Sequence, residues 1–600
     1  MCSILGYYNS DLTINDIAYY NNELSNRGPD NSTVLKYTFN NNNLIFGHNR
    51  LAIQDLDVKA NQPMETSRFS IVFNGEIYNH LEIRAELEND FITHSDTETL
   101  LASFNKFGIE KTIQKLIGMF AIALFDKIEE KLYLIRDRVG IKPLYWTFQN
   151  NEFVFASELK GFSNHLKRNK NDKALIQFMS LGYIPKNNSF YNDIYKLEPA
   201  HMLIFDGSNI EIKRYWDLPI KKIDINYSKA MEKAEDLIKN SVKCRLLADV
   251  EVGSFLSGGI DSSLVSAIMQ KESNRKIKTF SIGFEDKRYD ESVYAKNVAN
   301  HIGSEHYEYK FTSGDVLGLV DDFDKFYDEP FGDSSALPML ILSRMTKEKV
   351  SVVLSGDGGD ELFTGYERYF LTNNYYNKFI KIPQFVRNIL SSVCKYSKND
   401  KFEKISYPLK NLDYINLYSV LNTSVKPWEI DSIFNQEFVY EVFKYEPSFL
   451  DLQELERPLT SIDDCTRVDF YRYLPDDILT KVDRATMAYG LEARVPLLDH
   501  RIVEFAYSLD TKLKLEKGKK SILKEILYKY VPRELVDRPK KGFSVPLEKW
   551  FRDELKDILF DKIEILDERF NKDYVRKIAN MHIYKNRNFS YVLWNIMRAK

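Results

Sequence analysis

Short apolar runs separated by turn residues dominate the first 205 residues of the chain. These runs lie at Asn43 to Gly47, Phe69 to Asn74, Phe120 to Phe125 and Leu132 to Arg136. The charged residues 126–131 predict a hairpin between the last two runs, and Asp96 to Phe107 has the spacing of a helix. We therefore expect antiparallel strands with helices between them, which is an α+β layered domain.

The pattern changes after residue 228 to amphipathic stretches alternating with short apolar runs. The runs Val250 to Leu256, Ile277 to Gly283 and Val350 to Leu354 predict buried strands. Strands that alternate with helical stretches predict a parallel α/β sheet covered by helices. Beyond Tyr366 the chain is helical by pattern, so we expect a helical elaboration of the same domain.

A boundary between two domains is expected near residues 211–227. Trp216-Asp217-Leu218-Pro219 and a following Lys/Asp-rich stretch interrupt the strand pattern, and Ser228 to Leu246 predicts a new helix. The sequence thus predicts one domain at 2–210, a linker at 211–227 and a second domain at 228–600.

Composition favours an enzyme acting on small molecules. The chain has 600 residues with a net charge of −4, which does not favour nucleic acid as a partner. Its four cysteines contain no C-x-x-C pair, which argues against a zinc site or disulfide framework and for a reducing cytoplasm. No secretory signal and no 18-residue apolar run is present, so we expect no membrane span.

Cys2 is the first candidate for chemistry. Removal of Met1 would give this residue both a nucleophilic thiol and a free α-amine that can act as base. A cysteine near the start of a chain is a weak signal alone, and the motifs further along the chain strengthen it.

Two glycine-rich strings follow predicted strands of the second domain. Ser257-Gly258-Gly259-Ile260-Asp261-Ser262-Ser263 would present backbone N–H groups and hydroxyls to a phosphate, with Asp261 as a magnesium ligand. Ser355-Gly356-Asp357-Gly358-Gly359-Asp360-Glu361 alternates glycines with carboxylates. Loops that follow parallel strands meet at one edge of the sheet, so the pair predicts a site for a magnesium–nucleotide complex.

These motifs together resemble the glutamine-hydrolysing asparagine synthetase family. The first half resembles class II glutamine amidotransferases at residues 1–4, 27–30, 48–51, 74–79 and 95–98, and the second half resembles ATP-pyrophosphatase synthetase domains at residues 257–263, 355–361 and 491–496. The resemblance covers residues 2 to about 550. It implies an N-terminal αββα sandwich of the Ntn-hydrolase type and a C-terminal parallel sheet like that of adenine nucleotide α-hydrolases.

The resemblance implies the machinery of a glutaminase. Cys2 would attack the carboxamide of glutamine, and its own amine would shuttle the proton. The side chain of Asn74 and the backbone N–H of Gly75 would form the oxyanion hole.

It also implies the residues that bind glutamine. Arg50 would hold the α-carboxylate and Asp96 would receive the α-ammonium, since an arginine and a carboxylate together suit an amino-acid zwitterion. Asn74 and Glu76 belong to the same expected glutamine-binding set.

In the second domain the resemblance implies ATP and Mg²⁺ as cofactors. The expected ATP-binding residues are Leu256, Ser257, Gly258, Gly259, Asp261, Ser262, Ile282, Ser355 and Gly356. Asp261 and Asp360 would hold the metal, and Asp357 and Lys520 would take part in catalysis, with Lys520 neutralising phosphate charge. Aspartate would become β-aspartyl-AMP with release of pyrophosphate, and ammonia from the first domain would reach it through an internal channel.

The chain departs from the family pattern on the acceptor side. Asp357 stands where family members usually carry glutamate, and the segment 328–336 resembles paralogues associated with polysaccharide gene clusters. An acceptor other than aspartate, such as a glycan uronic acid, therefore stays open, as do a glutaminase without synthetase activity and a non-catalytic metabolite-binding module. Residues 370–459 match no motif, and a homodimer is expected by resemblance only.

Overall fold

Two six-stranded antiparallel sheets form the N-terminal half of the computed structural model, which describes residues 2–40, 42–88, 90–395, 400–410, 412–443, 459–538, 545–585 and 587–599. The first sheet contains, in spatial order, Tyr195–Lys196, Tyr145–Gln149, Glu152–Ala156, Ser3–Tyr8, Asn42–Arg50 and Asn31–Phe39. The second contains Ile210–Arg214, His201–Phe205, Lys131–Arg136, Gly118–Asp126, Phe69–Ile77 and Met64–Glu65. The predicted hairpin around residues 126–131 is confirmed.

The two sheets face each other and carry helices on their outer sides. Ile4 and Phe46 of the first sheet pack against Val72 and Ala121 of the second in one apolar layer. Ile17 of helix Ile14–Asn22 packs on the outside of the first sheet. The outside of the second sheet is covered by helices His80–Ala85, Asp96–Phe107 and Ile109–Lys115. The expected αββα sandwich is confirmed.

The C-terminal half is built on a five-stranded parallel sheet, which confirms the second expectation. Its strands, in spatial order, are Glu305–Phe311, Lys278–Phe284, Val252–Phe255, Val352–Leu354 and Glu492–Arg494. Val252–Phe255 and Val352–Leu354 are direct neighbours in parallel register. Both glycine-rich loops therefore leave the same edge of the sheet.

Helices surround this sheet on both faces and extend beyond it. The helices around the sheet and before residue 460 are Tyr227–Cys244, Ile260–Glu272, Ser292–Ile302, Ser313–Val320, Phe323–Phe326, Ala336–Lys347, Gly359–Leu362, Glu367–Phe379, Gln384–Lys395, Asp400–Lys410, Tyr414–Asn422, Pro427–Ile433 and Gln436–Phe443. Those that follow are Ile462–Tyr471, Leu474–Leu479, Thr480–Met487, His500–Ser508, Thr511–Lys514, Ser521–Leu527, Arg533–Val536, Leu547–Trp550, Lys556–Ile565, Lys572–Ile583 and Ser590–Arg598. Part of the unassigned segment 370–459 lies outside the described residues.

Helix Asp172–Leu181 belongs by packing to the C-terminal half. Its Leu175 and Phe178 share one apolar core with Phe280 of the parallel sheet and Trp594 of helix Ser590–Arg598. Asn595 donates a hydrogen bond of 3.0 Å from its side chain to the carbonyl of Met179. The two halves are therefore joined by a continuous core and not only by the residues between them.

Within the described residues, no helix has the length and apolarity needed to cross a bilayer.

Candidate active sites

The residues expected to handle glutamine meet in one pocket. Cys2, Arg50, Gly75, Glu76 and Asp96 line one pocket at the end of the two N-terminal sheets. Cys2 precedes the first strand and Arg50 ends its neighbour, whereas Gly75 and Glu76 come from the facing sheet and Asp96 begins a helix. Five positions that are scattered along the sequence thus become neighbours because both sheets end at the same place.

Asn74 lies beside the candidate nucleophile and keeps a donor available. Its Oδ1 accepts a hydrogen bond of 3.0 Å from the backbone nitrogen of Cys2. Its Nδ2 is buried and has no hydrogen-bond partner among the described residues. A buried amide without a partner is costly, so this donor suits an oxygen that gains negative charge during a reaction.

Gly75 has a packing role in addition to the expected oxyanion role. It pairs with Phe120 in the second sheet, and a Cβ atom at this position would lie 2.0 Å from the carbonyl oxygen of Met119. Only glycine permits this close approach of the two strands.

The Cys2 thiol needs a base. Burial raises its pKa, although a backbone hydrogen bond from Leu51 and the nearby Arg50 guanidinium act in the opposite direction. A thiol with a raised pKa is protonated at neutral pH and is then a poor nucleophile. An α-amine on the same residue would supply the required base.

Two carboxyl groups of the pocket are held in defined positions. The Asp96 carboxylate accepts a hydrogen bond of 2.8 Å from the Ile77 backbone, and burial raises the pKa of Asp96 to about 6. Burial and the neighbouring Glu492 raise the pKa of Glu76 well above its usual value. The side chain of Arg494, which comes from the parallel sheet, lies 3.5 Å from Glu76.

Arg50 is oriented by the loop that follows its strand. One terminal nitrogen of its guanidinium donates hydrogen bonds of 2.9 Å to the carbonyl of Asp57 and 2.7 Å to the side chain of Asn61. The other donates to the carbonyls of Gln54 and Asp55, and together these contacts fix the planar group at the pocket wall.

The first glycine-rich loop forms a cradle closed by serine hydroxyls. The Oγ atoms of Ser257 and Ser262 are 2.9 Å apart, and the Gly259 backbone donates to Ser257 Oγ over 3.3 Å. Gly258 has φ of +72°, and a Cβ atom there would lie 2.7 Å from the Ala295 nitrogen. The loop therefore needs glycine both for its backbone conformation and for its contact with the next helix.

The second glycine-rich loop packs directly on the first. A Cβ atom at Gly356 would lie 2.6 Å from the Ser262 nitrogen, and one at Gly359 would lie 2.4 Å from the Asp261 carboxylate. Ser355 is anchored by a hydrogen bond of 2.9 Å from its backbone nitrogen to the carbonyl of Arg494. The two predicted phosphate-site loops are thus in contact across the sheet edge.

The remaining nucleotide candidates lie on the two strands beside this cleft. Leu256 is buried and its backbone nitrogen donates a hydrogen bond of 2.8 Å to the carbonyl of Phe280. Ile282 is buried two residues further along that strand.

Lys520 connects the two acidic groups of the cleft. Its Nζ forms an ion pair with Asp261 and lies 2.7 Å from the Asp360 carboxylate. Burial opposes the charge, yet the two aspartates raise the pKa of Lys520, so the ammonium stays protonated. A fixed positive charge between two carboxylates at a glycine-rich loop is suited to polyphosphate.

Near Asp357 the structure adds a lysine that the sequence did not single out. Asp357 accepts a hydrogen bond of 2.6 Å from Ser355, and Asp333 forms an ion pair of 2.8 Å with Lys481. Burial opposes the charge of Lys481, but the carboxylates of Asp333, Asp477 and Asp357 outweigh it and raise the pKa of Lys481, so its charge is kept. A lone lysine in the middle of a helical stretch gives no sequence signal for this role.

A buried ion-pair network joins the glutamine pocket to the C-terminal half. Arg27 donates to Asp483 over 2.8 and 3.1 Å, to Glu158 over 2.6 Å and to the Cys2 carbonyl over 3.3 Å. All four residues are buried. Arg27 and Asp483 are 456 positions apart, so their contact leaves no trace in the local sequence pattern.

A buried N-terminal thiol beside an amide donor, and a nucleotide-type cleft in the same chain, define the class of glutamine amidotransferases with a second, synthetase site. The glutamine amidotransferase domain profile matches residues 1–216, and the asparagine synthase profile matches residues 233–600. The chain belongs to the glutamine-hydrolysing asparagine synthetase family.

Individual relatives support the same assignment. A putative glutamine-hydrolysing asparagine synthetase of Methanocaldococcus jannaschii is 36% identical, over 81% of this chain and 98% of that protein. Asparagine synthetase 1 of Bacillus subtilis is 31% identical, over 100% of this chain and 95% of that protein. The human asparagine synthetase is 28% identical, over 91% of this chain and 84% of its own length.

Proposed function

We propose that this protein makes asparagine from aspartate with glutamine as the nitrogen donor and ATP as the energy source. The observation that carries the proposal is the contact of Lys520 with Asp261 and Asp360, in the same molecule whose Cys2 lies in the glutamine pocket. Relatives that carry the asparagine synthetase name match most of the chain and support aspartate as the acceptor.

The first half-reaction takes place at Cys2 once Met1 is removed. The α-amine accepts the thiol proton, sulfur attacks the carboxamide carbon of glutamine, and the proton passes to the departing nitrogen as ammonia leaves. Asn74 Nδ2 donates to the oxyanion, because it is buried beside Cys2 without another partner among the described residues. Water then hydrolyses the thioester and releases glutamate.

Ammonia crosses between the sites as the neutral molecule. Met119 and Ile141 of the N-terminal half share an apolar cluster with Leu354 and Val495 of the parallel-sheet half. Apolar walls favour ammonia over ammonium, because burying an unpaired charge costs far more than burying a neutral amine.

The second half-reaction takes place in the cleft of the parallel sheet. The β-carboxylate of aspartate attacks the α-phosphate of ATP, giving β-aspartyl-AMP and pyrophosphate, and ammonia then displaces AMP to give asparagine. The loop hydroxyls of Ser257 and Ser262 and the Lys520 ammonium are the groups that bind the phosphates. We assign Asp357 and Lys481, whose charges interact, to the binding of the acceptor aspartate.

Two carboxylates of the cleft fit a magnesium ion. Asp261 and Asp360 both reach Lys520 Nζ, so their oxygens face one position. The described residues contain no cluster of three or more metal-binding side chains. A pair of carboxylates completed by substrate phosphates is the usual arrangement for Mg²⁺, which would neutralise phosphate charge.

We also propose that the protein works in the cytoplasm as a homodimer. All four cysteines are free thiols, which suits a reducing compartment.

Light scattering coupled to gel filtration measures the mass of the assembly and so tests the homodimer. A mass near that of one chain would contradict the dimer.

The direct test replaces the nucleophile. Cys2→Ala should abolish asparagine formation from glutamine and leave formation from added ammonia within about twofold, because only the first half-reaction uses the thiol. Asparagine and pyrophosphate are measured with ATP, magnesium and either nitrogen source, with and without aspartate.

Two outcomes would change the proposal. Loss of ammonia-dependent synthesis in folded Cys2→Ala protein would contradict the division of labour between the halves. Glutamine hydrolysis without any pyrophosphate response to aspartate would exclude aspartate as the acceptor, and sugar acids would be tested next.

A further inference from the structure

Helix Gln384–Lys395 presents its apolar side chains to solvent. Phe385, Ile389 and Val393 are 69%, 61% and 67% exposed, and their spacing of four residues places them along one side of the helix. Leu390 on the same helix and Phe402 on the neighbouring helix Asp400–Lys410 are also exposed. We call these five residues the apolar face.

A polar residue on another side of this helix makes the contact with the neighbouring helix. Ser391 is buried and donates a hydrogen bond of 2.7 Å to the carbonyl of Ser406 on helix Asp400–Lys410. Helices at a protein surface normally turn their apolar side to the core. Here the apolar side chains Phe385, Ile389 and Val393 are exposed instead, so this side of the helix is available to contact another molecule.

The sequence around the apolar face is strongly basic. Residues 378–410 contain eight Lys or Arg residues against two acidic ones, although the whole chain has a net charge of −4. Lys378 and Lys381 are exposed just before the helix. Basic residues beside exposed Phe, Ile and Leu side chains are typical of helices that lie in the interface of a bilayer with anionic lipids.

A second copy of the chain fits this surface less well. A two-fold interface would bring each apolar face, with its basic surroundings, against the same basic surroundings of the partner. Like charges brought together at an interface oppose association. An anionic occupant removes this conflict.

We propose that the apolar face binds the surface of an anionic phospholipid bilayer. Phe385, Ile389 and Val393 enter the boundary between headgroups and acyl chains, and the flanking lysines contact lipid phosphates. The helix lies in the plane of the interface and does not cross the membrane. The enzyme would then work at a membrane surface. Its proposed reaction does not require this membrane association.

The test is cosedimentation of the full-length protein with lipid vesicles. We expect binding to vesicles of phosphatidylcholine with 30% phosphatidylglycerol, weak binding to phosphatidylcholine alone, and release when salt is raised. The double variant Phe385→Ser/Ile389→Ser should lower the bound fraction about tenfold or more, because two apolar side chains no longer leave water. Lys378→Gln/Lys381→Gln should weaken binding several-fold.

A matched control keeps the result specific. Ile128→Ser/Ile220→Ser removes two other exposed isoleucines, 72% and 86% exposed, and should bind vesicles like the wild type. Unchanged glutaminase activity of each variant establishes that it is folded.

Three results overturn the proposal. These are wild-type protein that ignores anionic vesicles at low salt, Phe385→Ser/Ile389→Ser protein that binds as well as wild type, and a wild-type dimer that the double variant converts to monomer without any vesicle binding. The last result would assign the apolar face to a second copy of the chain.

Discussion

At the scale of single residues, Asn74 divides its two polar atoms between two tasks. Its Oδ1 holds the Cys2 backbone, and its Nδ2 has no partner among the described residues. Asn74→Asp keeps the shape and the acceptor but removes the donor, so kcat for glutamine hydrolysis should fall by about 10²- to 10³-fold. Steady-state ammonia release measures this loss.

The rate of Cys2 alkylation in the Asn74→Asp variant is the control for this experiment. Alkylation of Cys2 by iodoacetamide forms no oxyanion, so its rate should change far less than kcat. A fall in kcat of less than fivefold in Asn74→Asp would show that the donor is not part of the oxyanion hole.

Asp96 makes a second residue-scale prediction, on pH dependence. Burial raises the pKa of Asp96 to about 6, so the carboxylate exists above that pH and is protonated below it. Only the ionised form attracts the α-ammonium of glutamine. The kcat/KM for glutamine hydrolysis should therefore fall about tenfold per pH unit below pH 6.

Glutaramate, which lacks the amino group, is the control substrate for this experiment. Its kcat/KM should not show the decline that belongs to Asp96. Identical pH profiles for the two substrates would assign the decline to another group.

At this scale the candidate residues could be predicted from the sequence, but their surroundings could not. Cys2, Arg50 and Asp96 lie in strings that resemble a known family, and the structure gathers them in one pocket. The contact between Arg27 and Asp483 spans 456 positions, and neither residue lies in a periodic pattern that could indicate the other. Such pairs depend on how two domains dock, which local propensity does not determine.

At the scale of secondary-structure elements, helix Thr480–Met487 connects the two chemical sites. Lys481 pairs with Asp333 near Asp357, and two residues later Asp483 pairs with Arg27, which contacts the Cys2 carbonyl. Asp483→Asn removes one charge from this buried network. We expect unfolding free energy to fall by about 3 kcal/mol and glutamine hydrolysis to weaken more than ammonia-dependent synthesis.

Asp172→Asn is the matched control for that variant. Asp172, on the helix that packs with the C-terminal half, pairs with Arg569 over 2.9 Å, but its side chain is about half exposed. Its loss should cost less than about 1 kcal/mol and leave both activities unchanged. Denaturant unfolding and the two assays distinguish the variants, and equal effects would argue against a special role for the helix.

Elements were predictable where the pattern of apolar residues was strong. The runs Phe120 to Phe125 and Leu132 to Arg136 correspond to the paired strands Gly118–Asp126 and Lys131–Arg136. Helix Asp172–Leu181 was not assigned to the C-terminal core, because its amphipathic pattern indicates a buried side without indicating what buries it.

At the scale of the whole molecule, the shared core predicts cooperative unfolding. Met119 and Ile141 of the N-terminal half pack with Leu354 and Val495 of the C-terminal half, and the Arg27–Asp483 pair is buried between the halves. Neither half can unfold without exposing apolar surface of the other. Calorimetry of the full-length protein should therefore give one heat-absorption peak, and two resolved peaks would contradict this coupling.

The hydrogen bond from Asn595 to the carbonyl of Met179 also has a consequence for synthesis on the ribosome. The two residues are 416 positions apart, so at ordinary elongation rates roughly 20–80 s pass between the synthesis of Met179 and that of Asn595. During this interval the apolar side of helix Asp172–Leu181 lacks Trp594 and Asn595. The nascent chain thus carries an incomplete core through most of its translation, and this is the surface on which a chaperone would act.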